Sequence, residues 1–140
     1  MVANTLEINP QRLWDSLERS AEIGRFRGTG LRRLALSAED RQMRDLFVDW
    51  ARQAGCKVEI DRLGNIFARR PGSDPSLPPV AIGSHLDTQI CGGRYDGILG
   101  VLCGLEVPPA ERAELHERLA RLGFGYADET ENVAARLFLR

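Results

Sequence analysis

The stretch Pro79-Val80-Ala81-Ile82-Gly83-Ser84-His85-Leu86-Asp87-Thr88-Gln89, continued by Gly92-Gly93-Arg94-Tyr95-Asp96-Gly97, decides how this chain is read. A short apolar run bounded by turn residues predicts a buried strand. In open α/β sheets, ligands bind beyond the carboxyl ends of strands. His85 and Asp87 therefore sit at a strand exit, two residues apart and on one face. Neutral imidazole and carboxylate oxygen both suit zinc or manganese. Asp87 has two readings, a direct ligand or the group that orients His85 from behind. The glycines let the backbone turn tightly before Asp96 returns to the site. The bland alternative is a satisfied histidine at a strand end, with Asp87 and Asp96 as turn or capping residues.

Working outward, the chain upstream predicts helices and strands in alternation. Asn9-Pro10 reads as a cap with proline in the first turn, followed by an apolar face of Leu13, Trp14, Leu17 and Ala21 and a stop at Gly24. Residues 25–34 lack periodicity and read as a loop, whose arginines 25, 27, 32 and 33 are expected to be solvated. Ser37 and Asp40 resemble a capping box. Met43, Leu46, Phe47, Trp50, Ala51 and Ala54 then share a helical stripe that ends at Gly55. Cys56, Val58 and Ile60 alternate with charged residues as in a half-buried strand, and Leu63-Gly64-Asn65 turns the chain into a second strand over 66–69. Gly97 to Glu106 predicts a helix whose glycines 97, 100 and 104 permit close approach to the sheet.

Composition excludes several classes of function. With 140 residues, 43% hydrophobic content and a net charge of −1, the chain suffices for one small domain. No basic excess points to nucleic acid, and no apolar run is long enough to cross a membrane. The first residues lack a charged-then-apolar leader pattern. Three cysteines, at 56, 91 and 103, form no CxxC pair, which favours reduced thiols and a cytoplasmic location. Cys91, beside the motif, is weighed as a thiolate ligand and set below that reading.

Ser84-His85-Leu86-Asp87-Thr88 and Gly92-Gly93-x-Tyr95-Asp96-Gly97-x-Leu99-Gly100-Val101-Leu102 resemble the first metal-binding block of the carbamoylase-type amidohydrolases. These dinuclear metallohydrolases include N-carbamoyl-L-amino-acid hydrolases, β-ureidopropionases and allantoate amidohydrolases. Arg33-Leu34-Ala35-Leu36-Ser37, Asp61-x-x-Gly64-Asn65 and Phe67-Ala68-Arg69-Arg70-Pro71-Gly72 fit in the same order, from about Ile8 to Val107. The resemblance implies an α/β fold, part of a three-layer αβα catalytic domain of the zinc-exopeptidase kind. It implies that His85 binds one metal, that Asp96 bridges two, and that Asp87 orients His85. The metal is zinc or manganese, and the substrate a small molecule with a ureido or linear amide C–N bond. The family's paired-glutamate block, which carries the general base, and two further histidines have no counterpart here. His116 lies outside the matching region and reads as solvated surface.

The character changes near Val107-Pro108-Pro109. Glu114/Arg118 and Glu117/Arg121 predict an amphipathic helix, Phe124-Gly125-Tyr126 a short strand, and Val133 to Leu139 a final apolar segment. Val107-Pro108-Pro109-Ala110-Glu111-Arg112, Leu122-Gly123-Phe124 and Asp128-Glu129-Thr130 resemble the end of the regulatory domain of biosynthetic threonine dehydratase. The expected division is therefore 1–107, the N-terminal part of a metallohydrolase domain, and 108–140, an α+β tail. Three functions follow: an amidohydrolase; a catalytically empty remnant holding at most one metal; or an amino-acid-binding regulatory module. An unpaired sheet edge predicts marginal stability and homo-oligomerisation.

Overall fold

Asn9 begins the first helix by the means its sequence predicts: its side chain accepts a hydrogen bond from the Arg12 N–H at 2.9 Å, with Pro10 at the first position. The computed structural model describes residues 8–71 and 79–107, and the backbone of a strand at 135–139. Helix α1 spans Pro10–Ala21 and α2 spans Ala38–Gln53. Ser37 caps α2 by accepting from the Asp40 N–H at 3.1 Å, while Asp40 reaches back to the Leu36 N–H at 2.9 Å. That is a capping box displaced by one residue at its return bond.

Strands β1 (Lys57–Ile60) and β2 (Ile66–Arg70) form an antiparallel hairpin, with Ile60 opposite Ile66. Strand β3 is Val80–Ser84, helix α3 is Ile98–Glu106, and strand β4 is Ala135–Leu139. The sheet order is β1-β2-β4-β3, with β4 parallel to β2 and antiparallel to β3. The final apolar segment is thus a strand of the same sheet as the motif. The helix expected after Glu111, the strand at 124–126 and His116 lie outside the described residues.

One core joins the helices to the sheet. Leu17 of α1, Met43, Phe47 and Ala51 of α2, Ile66 and Ala68 of β2, and Ile98, Val101 and Leu102 of α3 are buried together. Val80 and Ile82 of β3 pack against them. The alternate residues Arg69, Ala81 and Gly83 are exposed on the other face of the sheet. All three described helices therefore stand on one face. The described residues make an α/β fold, and a second helical layer is not among them. Two apolar residues also depart from expectation. Trp14 is half-exposed and meets the ring of Tyr95 at 6.0 Å, and Ile60, on the edge strand, is 57% exposed. Trp50 is half-buried against the core as predicted. Among the described residues, no helix is long and apolar enough to cross a membrane.

Candidate metal half-site

β3 ends at Ser84, so His85 leaves the carboxyl end of the strand as its sequence predicts. The His85 Nδ1 lies 3.0 Å from the backbone carbonyl of Asp87 and 3.4 Å from the Asp87 carboxylate. A carbonyl oxygen only accepts, so Nδ1 carries the proton and donates it, leaving the Nε2 lone pair open. Nε2 lies 3.9 Å from Asp96 Oδ1. The structure thus brings His85, Asp87 and Asp96 together, and it is the main chain of Asp87 that makes the shorter contact to the ring. All three side chains are roughly half-exposed, which leaves the site open to solvent.

α3 closes on this site through glycine. A Cβ on Gly97 would fall 2.5 Å from the His85 carbonyl oxygen and 2.6 Å from Nδ1, and its φ is +67°. Three residues on, Gly100 lets the helix lie against Ser84, where a Cβ would come within 3.3 Å. The tight packing predicted for this helix is real, and it is aimed at the motif.

The loop before α2 contributes what sequence reasoning missed. Leu31 and Gly92 exchange backbone hydrogen bonds of 2.9 and 3.0 Å. The Arg33 N–H donates to Thr88 Oγ1 at 2.9 Å, and the Thr88 N–H donates to the Arg33 carbonyl at 2.7 Å. Arg33 was expected to be solvated with its neighbours; it is fully buried. Its Nε donates to the Leu86 carbonyl at 3.1 Å, and Nη1 to the carbonyls of Ser20 and Ile23 at 2.8 and 3.1 Å. Burial lowers its pKa, opposed by the charges of Asp40 and then Asp87. Arginines 25, 27 and 32 are exposed as expected, so nothing in the run of charges set Arg33 apart.

The donor chemistry fits one edge of a divalent-metal site. With ordinary zinc bond lengths, two tetrahedral donors stand about 3.4 Å apart, close to the 3.9 Å between Nε2 and Oδ1. Asp87 stands on the Nδ1 side of the ring, and among the described residues no group of three His, Cys, Asp or Glu side chains is placed to hold a metal ion. Cys91 is exposed in the motif loop, with φ +60°, and belongs to no such group. A cavity of ≈ 630 Å³ lies elsewhere, lined in part by Arg12, Arg19, Trp50, Arg70 and Glu106. It touches none of His85, Asp87 and Asp96, and the chemistry of those residues, not the cavity's size, locates the candidate site.

No family model matches the chain. Relatives do. An N-carbamoyl-L-amino-acid amidohydrolase of Rhizobium meliloti is 50% identical over 99 residues, 71% of this chain and 24% of that protein. One from Pseudomonas sp. is 44% identical over 115 residues, 81% of this chain and 28% of the relative. The chain is similar to the carbamoylase-type amidohydrolases. A solved hydantoinase/carbamoylase family amidase from Burkholderia ambifaria superposes with a TM-score of 0.72 at 45% identity, covering 97% of this chain and 30% of the amidase. The chain spans about a quarter of the length of the curated carbamoylases it matches. None of these three matches is to a threonine dehydratase, so the resemblance read in 108–140 is unsupported, and most of it lies outside the described residues.

Proposed function

We propose that residues 1–107 are the N-terminal part of a metal-dependent amidohydrolase domain that acts on non-peptide C–N bonds of ureido compounds or linear amides. N-carbamoyl amino acids and allantoate are the substrates that the family resemblance suggests. The observation that carries the reading is His85, which presents Nε2 toward Asp96 while its Nδ1–H is tied to the Asp87 carbonyl. In this reading His85 and Asp96 hold a divalent ion, zinc or manganese, and Asp87 holds the ring. A bound ion of this kind polarises the scissile carbonyl and activates water. The third layer of an αβα domain would cover the sheet face that carries Arg69, Ala81 and Gly83.

A second reading is favoured by one observation: the described residues bring two donors together, and catalytic zinc usually keeps three protein ligands. A general base is needed as well, and the carboxylates beside His85 are those already assigned. On this reading the chain by itself holds metal weakly and does not turn over substrate.

Metal content decides both. After loading with zinc or manganese and desalting, the chain should retain near-stoichiometric metal that Asp96→Ala loses, and N-carbamoyl amino acids are then the substrates to assay. Metal that binds on titration but is lost on desalting, without hydrolysis, supports the second reading. If the wild-type chain keeps no metal after desalting, the first reading fails for this chain, and the second fails too if titration with zinc shows no weak, Asp96-dependent binding.

A further inference from the structure

We infer that Arg33 is a positioning residue for the His85-x-Asp87 motif, its buried guanidinium fixing the peptide between the two so that His85 presents Nε2 outward. The inference deepens the metal-site reading and rests on it where metal affinity is concerned.

The geometry of the guanidinium is specific. From one planar fork, Nε holds Leu86, the residue between His85 and Asp87, and Nη1 holds two carbonyls at the end of α1. The main chain of Arg33 holds Thr88 from the other side, through both its N–H and its carbonyl. Residues 86 and 88 are therefore pinned to Arg33, and the Asp87 carbonyl that accepts from His85 Nδ1 belongs to the peptide between them. If Leu86 turns, the acceptor for Nδ1 turns with it, and the tautomer that leaves Nε2 open loses its support.

Gly24 clears the path for the side chain, since a Cβ there would lie 2.6 Å from Arg33 Cγ. A fully buried cation is costly unless its donors are satisfied, and Nη2 has no partner among the described residues. Closing the loop that follows α1 needs no such group, because Arg32 already donates its N–H to the Gly24 carbonyl at 2.7 Å. Lysine cannot reproduce the fork, since its donors radiate from one point.

The test compares Arg33→Met and Arg33→Lys with the wild type in two ways. The first is His85 ring tautomer in the metal-free chain, by long-range proton–nitrogen correlation. The second is zinc affinity by competition with a chromophoric chelator. Groups that orient metal ligands typically contribute 10–100-fold in affinity, and a loss of about that size is expected in Arg33→Met, together with mixed tautomers at His85; Arg33→Lys should fall between. A folded Arg33→Met with wild-type tautomer and affinity within about twofold overturns the inference. So does failure of both variants to fold, which would make Arg33 a requirement of the whole fold. If the wild type binds no zinc, the metal reading falls, and the tautomer comparison still decides the role of Arg33.

Discussion

Gly97 shows how much a single residue carries here. Any side chain would enter the space of the His85 ring, and the left-handed φ of +67° adds strain for a non-glycine residue. Gly97→Ala should lower unfolding stability by at least about 1–3 kcal/mol, read from urea denaturation, and should displace His85. Wild-type stability in that variant would show that the helix start relaxes freely. The role of this glycine was half legible: a glycine three residues before Gly100 predicts close packing, while its target, the imidazole, appears only once α3 and β3 are placed. Arg33 was not legible at all. One arginine among four within nine residues carries no local mark of burial, because its partners, Leu86 and Thr88, lie more than fifty residues away.

At the scale of elements, the signals that held are those acting within a few residues. Asn9, Ser37 and the glycines at 24 and 55 mark helix ends because capping satisfies nearby backbone groups. The β1–β2 turn works likewise. Asp61 accepts from the Leu63 and Asn65 N–H groups at 2.9 and 2.8 Å and from the Asn65 side chain at 2.7 Å. The Asn65 side-chain bond, with help from the backbone N–H groups, holds the Asp61 carboxyl below the usual aspartate range. A depressed folded value means that the turn's support is complete above the unfolded pKa and is lost as pH falls through the folded one. The Asp61 carboxyl carbon should titrate below free aspartate by NMR, and Asp61→Asn should remove that acid-dependent step. An ordinary midpoint would mean that the turn's hydrogen bonds are not kept in solution. The position of β4 between β2 and β3 was illegible for the opposite reason: pairing partners more than fifty residues apart leave no periodic trace.

At the scale of the molecule, the helices among the described residues stand on one face of the sheet, and β1 and β3 are the outer strands of the described order. Exposed Leu36, Leu63 and Ile90 add to the apolar surface. Such a surface favours association, and sedimentation velocity across a concentration series should show species larger than a monomer; a clean monomer throughout would count against it. Opposite the motif, Arg12 grips the buried Glu106 with two nitrogens at 2.6–3.0 Å, tying the start of α1 to the end of α3.

The half-site also has a history written into its spacing. His85, Asp87 and Asp96 lie within twelve residues of one another, so the turn between Ser84 and α3 suffices to bring them together, whereas Arg33 must close a loop of more than fifty residues to reach Leu86. Short loops close sooner than long ones. During refolding, the ligand pair should therefore assemble early and loosely, and tighten in a slower second phase when Arg33 docks. Stopped-flow refolding with a zinc-sensitive dye should resolve two phases in the wild type and lose the slower one in Arg33→Met.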